Sequence, residues 1–206
     1  MSGRCLAQGY YKCQDPSANS AFYHDSNGKR WYRTGDIGAL NPINGALRII
    51  DRKKDMVKLQ MGEYVSLGKV ESAVKLHPVV ENVCVFASPF KTTTVALIVP
   101  DEAKLREMYT AQKSSDDSLP SSLAAICNDP DMKRAVLDGI GTRIKGLLEN
   151  FETPRNLRLI CDQWTPENGL LTSAMKIRRK PIQTKYQRMI DEMYEEISLQ
   201  RRNANK

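Results

Sequence analysis

Three stretches of the sequence combine residue types that could bind a nucleotide or a carboxylate. In the first, residues 32–36 read YRTGD, so a glycine that permits a tight turn precedes the carboxylate of Asp36. A carboxylate at such a turn can accept hydrogen bonds from two vicinal hydroxyl groups, such as those of a ribose. Because Gly and Asp also occur in ordinary loops, a routine turn is the competing interpretation.

The second stretch is a charged run followed by a glycine turn. Residues 51–55 read DRKKD, and Gly62 and Glu63 follow a short apolar segment. A guanidinium at the end of a strand, here that of Arg52, and a glycine where backbone approaches a ligand suit a nucleotide or thiol-carrier site. A solvated basic linker is the alternative, and composition alone favours it.

In the third stretch, Lys176 follows a loop of small and hydroxyl-bearing residues. An ammonium group on such a loop can neutralise phosphate or carboxylate oxygens in a transition state. The same lysine could be one more surface cation, or part of a phosphate-binding patch for nucleic acid. Aromatic residues are not interleaved with the basic residues here, which disfavours a base-stacking platform.

These residues must be positioned by elements that the hydrophobic pattern predicts. Residues 1–50 read as short strands and turns with too few apolar runs to close a barrel or a sandwich, which indicates part of a larger domain. The charged run at 51–55 is expected to be a solvated connection. We place a domain boundary within it, giving an N-terminal piece 1–52 and a second domain 53–206.

The first half of the second domain alternates helix and strand signals. Ser66 is expected to cap a helix that Pro78 ends. Two β-rich segments then cover residues 81–88 and 92–99, and another helix begins at Pro100. The domain is therefore predicted to be α+β.

Its second half is expected to be mostly helical. A polar loop at 114–120 precedes helical sequence from 121 to about 150, interrupted near Pro130, and residues 157–161 form a short strand. After Pro181, apolar residues recur with helical spacing and predict a final helix packed on the sheet. The stripe consists of Ile182, Tyr186, Met189, Ile190, Met193, Tyr194 and Ile197.

Composition excludes several classes of protein. The 206 residues are 41% hydrophobic and 27% charged, enough for one core, and no apolar run is long enough for a membrane span or signal peptide. Five scattered cysteines and two histidines argue against a disulfide framework, a metal site and a Cys/His hydrolase, and they favour a reducing, intracellular compartment. Cys84 and Cys161 lie in apolar runs and are expected to be buried.

The net charge of +7 is unevenly distributed. Residues 173–206 contain nine basic and four acidic residues, an excess of +5, which leaves +2 for the rest of the chain. A basic nucleic-acid binder would fit this tail, but we rank it last because the stacking residues are missing.

In this order the motifs resemble those of the adenylate-forming, AMP-binding enzymes, and specifically the long-chain fatty acyl-CoA synthetases. The resemblance covers essentially the whole chain, and its long central run is highly specific. It rests on GYY at 9–11, WYRTGDIG at 31–38, IIDRKKDMVKLQMGEYVSLGKVE at 49–71, WTPE at 164–167 and LT at 171–172 leading to Lys176.

The resemblance implies a fold and a reaction. The fold is a C-terminal lid domain at 53–206, a small sheet flanked by helices, preceded at 1–52 by the last strip of the AMP-binding N-terminal domain. The reaction is that of a fatty acid–CoA ligase. The fatty acid and ATP give acyl-adenylate and pyrophosphate, and coenzyme A then takes the acyl group and releases AMP. Such a parent enzyme would reside at the endoplasmic reticulum or the mitochondrial outer membrane.

It also implies roles for individual residues. Asp36 would hold the ribose hydroxyls, Arg52 would assist at the nucleotide, and Lys176 would contact the reacting carboxylate and phosphate. In this family the lid turns between the two half-reactions, and one lid can first supply charge and then withdraw it.

Lys54 occupies the family's hinge position, about which the lid turns. Gly62 and Glu63 would face the pantetheine of coenzyme A after that turn. The family resemblance implies each of these roles, and the individual residues alone would not.

The sequence also departs from the family pattern. It contains no Ser/Thr/Gly-rich phosphate loop, no glutamate motif for Mg²⁺ and no acyl tunnel. We therefore expect the chain alone to be inactive without the missing N-terminal domain and to bind none of ATP, AMP, Mg²⁺ or coenzyme A tightly. The alternative is a non-catalytic lid module that acts as a partner of a full-length ligase or as a CoA-binding decoy.

Overall fold

The computed structural model describes residues 1–12, 16–112 and 122–204. They divide into two compact units, Met1–Asp55 (unit 1) and Met56–Lys206 (unit 2). The polar loop predicted at 114–120 lies outside the described residues, as does Cys13.

Unit 1 consists of two separate antiparallel strand pairs and a short 3-10 helix, Pro16–Ala21. Its strands are β1 (Phe22–His24), β2 (Arg30–Tyr32), β3 (Asp36–Leu40) and β4 (Leu47–Arg52), with β1 paired to β2 and β3 paired to β4. The many turns and short strands of this region are as the sequence predicts.

The charged run at 51–55 is exposed or half-buried, as expected for a solvated segment, but it is only partly a connection. Asp51 and Arg52 complete strand β4, where they lie opposite Ile37 and Asp36 of β3. The next three residues form one turn of 3-10 helix, Lys53–Asp55. Asp51 and Arg52 are part of a strand because they pair with the backbone of β3. The density of charged residues in the sequence does not reveal this pairing.

Unit 2 is an α+β fold, as predicted. Its central sheet has the strand order β7-β8-β9, with β7 and β8 antiparallel and β8 and β9 parallel. Strands β5 and β6 form a separate hairpin. The elements are β5 (Met56–Lys58), β6 (Tyr64–Ser66), α1 (Leu67–Val74), β7 (Val80–Phe86), β8 (Val95–Pro100), α2 (Glu102–Gln112), α3 (Leu123–Asn128), α4 (Pro130–Arg143), β9 (Leu157–Leu159) and α5 (Arg179–Ala204).

The central sheet separates two hydrophobic cores. Successive side chains of a strand point to opposite faces, so β7 and β8 contribute to both cores. One face packs against α1 to α4 through Val83, Val85, Ala96 and Ile98. The other packs against α5 and the segment around Trp164 through Cys84, Phe86, Val95, Leu97 and Val99. Unit 2 is therefore a three-layered structure with the sheet in the middle.

Side-chain caps fix where two helices begin. The Oγ atom of Ser66 accepts a hydrogen bond from Lys69 N at 3.1 Å, which confirms the predicted cap of α1. The carboxylate of Asp129 accepts hydrogen bonds from the first backbone N–H groups of α4, at 2.8 and 3.2 Å. This cap explains the predicted interruption near Pro130. The expected continuation to about residue 150 is wrong, because α4 ends at Arg143 and Gly146 has a φ of +81°.

Two expectations about burial are wrong in detail. Cys84 is fully buried, but Cys161 is exposed because β9 ends two residues before it. The stripe of α5 is buried except at Met189, which is 39% exposed at the edge of the stripe. The helix also bends at Tyr186, where φ is −114° and ψ is 19°.

His77 is expected to make the stability of unit 2 depend on pH. Its ring is buried against Gly139 of α4, and its Nδ1 accepts a hydrogen bond from Val79 N at 3.3 Å. Burial, helped by the charge of Arg143, lowers the pKa of His77 from its ordinary value of 6.5. The unfolded chain therefore takes up a proton below pH 6.5 that the folded chain does not, so stability falls as the pH drops below that value.

Urea unfolding at a series of pH values between 5 and 8 measures this effect. The variant His77→Asn should have a smaller loss of unfolding free energy between pH 7 and pH 5 than the original chain. Equal losses in the two proteins would contradict the role of His77.

Candidate functional site

Asp36 and Arg52 are brought together by the pairing of β3 with β4. They lie opposite each other in the register, and Arg52 Nε is 3.7 Å from Asp36 Oδ1. The turn before β3 is fixed by Gly35, with a φ of +76°, and by Thr34, whose Oγ1 accepts a hydrogen bond from Asp36 N. Lys53 N donates to Gly35 O at 2.7 Å, which closes the other side of the turn.

A cleft of about 710 Å³ opens next to this ion pair within unit 1. Its aromatic wall is formed by Tyr10 and Tyr32, whose hydroxyl groups are 2.8 Å apart. The hydrogen bond with Tyr10 raises the pKa of Tyr32, so the phenol of Tyr32 stays neutral at physiological pH. The residues lining the cleft are Tyr10, Tyr32, Thr34, Gly35, Arg52, Lys53 and Lys54.

This cleft has the chemical character of a small-molecule site. Aromatic faces can stack on a planar ring, while cations at the rim attract an anionic group. Arg52 and Lys54, both selected from the sequence, line it together. The sequence analysis did not predict that the two tyrosines form a wall of the cleft. They are 22 positions apart, and only the folded chain brings them together.

Gly62 and Glu63 lie in the tight turn between β5 and β6. Gly62 has a φ of +101°, a backbone conformation that a residue with a Cβ atom rarely adopts. The turn is closed by Leu59, which donates its N–H to Glu63 O at 2.8 Å and accepts one from Gly62 N at 3.0 Å. Since Leu59 is buried, it anchors the turn to the core and leaves Gly62 at the surface of unit 2.

Lys176 is exposed on a short hairpin between β9 and α5. Thr172 closes the hairpin, since its N–H donates to Lys176 O at 2.8 Å and its Oγ1 accepts from Lys176 N at 3.2 Å. Leu171 and Ile177 form a bridge at the base. Met175 is held at a φ of +57°, which is unusual for a residue other than Gly, Asn or Asp. The hairpin thus presents the ammonium group of Lys176 outward on a tightly constrained backbone.

The predicted site residues are divided between the two units. Asp36, Arg52 and Lys54 belong to unit 1, and the last of these lies one residue before the division at Asp55. Gly62, Glu63 and Lys176 belong to unit 2 and lie on two separate loops. Each group of residues is exposed or half-buried, as binding residues must be.

The basic excess of the C-terminal region is partly used within unit 2. Five of its cations contact polar groups of the same unit, which weakens the case for a nucleic-acid surface. The contacts are Arg178 with Gly169 O, Arg179 with Glu71, Lys185 with Asp162, Arg188 with Glu192 and Arg201 with Thr92.

The described residues do not fit a resident metal ion. Within ranges 1–12, 16–112 and 122–204, no three His, Cys, Asp or Glu side chains are grouped to hold one. None of the helices in these ranges combines the length and the apolar character needed to cross a bilayer.

The sequence has many relatives among characterised proteins. It is 38% identical over 195 residues to long chain acyl-CoA synthetase 8 of Arabidopsis thaliana, covering 94% of this chain and 26% of that protein. It is 37% identical over 198 residues to long-chain-fatty-acid–CoA ligase 1 of Schizosaccharomyces pombe, covering 95% and 28%. Over most of its length, the chain is similar to long-chain acyl-CoA synthetases. It spans about a quarter of the length of the curated relatives it matches, and no protein-family model matches it.

The chain is also similar to solved structures of adenylation domains. The A-PCP didomain of carboxylic acid reductase from Segniliparus rugosus, a complex with AMP, superposes with a TM-score of 0.72 at 26% identity, covering 95% of this chain and 24% of that one. The adenylation domain of the carboxylate reductase from Mycobacterium chelonae gives 0.71 at 27% identity, covering 91% and 26%. The resemblance to adenylate-forming enzymes is therefore confirmed in sequence and in fold.

Gly62 and Gly141 should respond in opposite ways to an added methyl group. At Gly62 the positive φ makes alanine strained, so Gly62→Ala should lower the unfolding free energy of unit 2 by about 1 kcal/mol. Gly141 lies inside α4, where a Cβ atom would meet nothing within 4 Å, so Gly141→Ala should raise it by roughly 0.5 to 1 kcal/mol. Urea unfolding of both variants measures the difference, and changes of the same sign would contradict the assigned turn.

Proposed function

We propose that this chain is the C-terminal segment of a long-chain fatty acid–CoA ligase, with unit 2 as its mobile lid. The observation that carries the proposal is the match to such ligases at 32–38% identity over 94–96% of the chain. The exposed hairpin that presents Lys176 supports it, since the side chain is not used in the core of unit 2. The rest of the enzyme would correspond to the three quarters of the relatives' sequences that this chain does not match.

The first half-reaction joins a fatty acid to AMP. A carboxylate oxygen attacks the α-phosphorus of ATP, a P–O bond forms, and the bond to pyrophosphate breaks. Negative charge moves from the attacking carboxylate to the phosphate oxygens of the transition state, where the ammonium group of Lys176 would neutralise it. Asp36 would accept hydrogen bonds from the ribose hydroxyls, while Arg52, 3.7 Å away, would orient that carboxylate and add positive charge.

The second half-reaction transfers the acyl group to sulfur. The thiol of coenzyme A gives its proton to solvent and attacks the acyl carbonyl, a C–S bond forms, and AMP leaves with the electron pair of the broken C–O bond. Lys176 has no further role at this step and would have to make way for the thiol. The turn at Gly62 and Glu63 would then face the pantetheine arm, because a glycine without a Cβ lets a narrow ligand pass close to the backbone.

Lys54 is proposed as the hinge for this exchange. It lies in the 3-10 turn Lys53–Asp55, next to the division between the two units. A hinge needs one or two backbone angles that can change without disturbing a core. The side chains of this turn are exposed or half-buried, which fits that requirement.

The exposed apolar surface of unit 1 supports the proposal that a larger N-terminal domain covers it in the ligase. Its β3–β4 pair exposes large apolar side chains, with Leu40 68%, Ile43 93%, Leu47 63%, Ile49 56% and Ile50 51% exposed. A two-stranded ribbon with such a surface is not stable on its own in water. These residues would be covered in the ligase by the larger N-terminal domain. That domain would also supply the ATP phosphate loop, the Mg²⁺ site and the acyl tunnel.

The purified chain is expected to form no acyl-CoA. Supplied with ATP, Mg²⁺, coenzyme A and palmitate, it should release no pyrophosphate above the level of a heat-denatured control, because the larger part of the site is missing. Titration with coenzyme A in the same preparation tests the decoy alternative, which requires affinity in isolation. Turnover by the chain alone would contradict the proposal.

Lys176 is expected to act in adenylate formation and not in thioester formation. The test enzyme is the S. pombe ligase carrying this chain in place of its matching segment. Lys176→Ala in this chimera should lower the rate of adenylate formation by about 100-fold or more. The rate of thioester formation from supplied acyl-adenylate should change by less than about threefold.

The matched control is Lys180→Ala, because Lys180 is also an exposed lysine and lies four residues away. It should leave both rates within about twofold of the unmodified chimera. Equal losses in both half-reactions for Lys176→Ala, or an inactive chimera, would count against the proposed function.

A further inference from the structure

We propose that Glu71 and Arg179 are a positioning pair for Lys176. This inference rests on the proposed function, which gives Lys176 its role, but it concerns two residues to which the sequence analysis assigns no role. The pair ties the helix that follows the lysine hairpin to the sheet and to α1, and so fixes the direction in which the hairpin points.

The pair is two-pronged and largely shielded from solvent. Arg179 Nη1 is 2.5 Å from Glu71 Oε1, and Arg179 Nη2 is 3.2 Å from Glu71 Oε2. The side chains are only 23% and 12% exposed. A planar guanidinium held by both oxygens of a carboxylate has a defined orientation, which a single contact would not impose.

The same two side chains also complete the edge of the central sheet. Strand β7 is an edge strand, and Val85 pairs with Ala96 of β8 on its inner side only. Val85 N donates to Glu71 Oε1 at 2.8 Å, and Val85 O accepts from Arg179 Nη1 at 2.7 Å. Both backbone groups of one edge residue are thus satisfied by the ion pair. The guanidinium is fixed to the rigid sheet as well as to α1.

The position of Arg179 in the chain links this anchor to Lys176. Arg179 is the first residue of α5 and follows Lys176 by three positions. Between them, Arg178 N donates to Leu170 O at 2.8 Å, which holds the two ends of the hairpin together. Because the base of the hairpin and the start of the helix are continuous, a fixed Arg179 limits rotation of the whole hairpin.

A second ion pair provides the comparison. Arg158 of β9 contacts Glu196 of α5 at 2.5 Å and also ties this helix to the sheet. Glu196 follows Lys176 by 20 positions in the sequence, and neither residue of this pair takes part in the hairpin bonds described above. If both pairs only attach α5 to the sheet, the loss of either pair should affect the lysine hairpin to a similar extent.

Hydrogen exchange on the 206-residue chain separates these roles. In Glu71→Gln and Arg179→Gln, the amides of residues 170–178 should exchange about tenfold faster than in the original chain. In Arg158→Gln they should be unchanged. The double variant Glu71→Arg/Arg179→Glu should recover part of the protection. Uniform acceleration across unit 2, an equal effect of Arg158→Gln at the hairpin, or unchanged hairpin exchange would overturn the proposal.

The rates of the two half-reactions separate a positioning role from a general loss of stability. A loss of stability alone would lower both rates. In the chimera, Glu71→Gln should slow adenylate formation about tenfold or more and change thioester formation from supplied adenylate by less than about threefold. If Lys176→Ala slows adenylation but Glu71→Gln does not, only the positioning role is wrong. If Lys176→Ala has no effect, the proposed function itself fails, and the exchange measurement still decides whether the pair orders the hairpin.

Discussion

Alternation of side chains along strand β8 is the constraint on which the rest of unit 2 depends. Every residue of this strand is buried, and successive residues enter different cores. Neither α1–α4 nor α5 could be removed without exposing one face of the sheet. The loops that carry Gly62 and Lys176 therefore start and end on elements packed into these cores, which would suit the mobile lid that we propose for unit 2.

Unit 1 has a different physical character. It buries little, its two ribbons are short, and the apolar side chains of β3 and β4 face outward. Even so, cross-strand pairing holds Asp36 opposite Arg52, and a hydrogen bond joins the two tyrosines of the cleft. In the proposed function, this arrangement would hold the nucleotide.

Much of the fold follows from local signals in the chain. The cap at Ser66, the interruption at Pro130, the strands on either side of residue 90 and the final amphipathic helix were all predictable, because each depends on neighbours within a few residues. The errors also have local causes. Cys161 follows the end of a strand, and α4 stops before Gly146, where left-handed backbone is required.

The sequence by itself determined the family resemblance, the candidate residues and the approximate elements, since motif identity and periodicity are properties of the chain alone. Tertiary structure decided which side chains meet. Tyr10 reaches Tyr32 across 22 positions and Glu71 reaches Arg179 across 108, and no spacing rule predicts either contact. The physical reason is that dihedral preference and hydrophobic period act over one or two turns, whereas ion pairs and aromatic contacts depend on how whole elements pack.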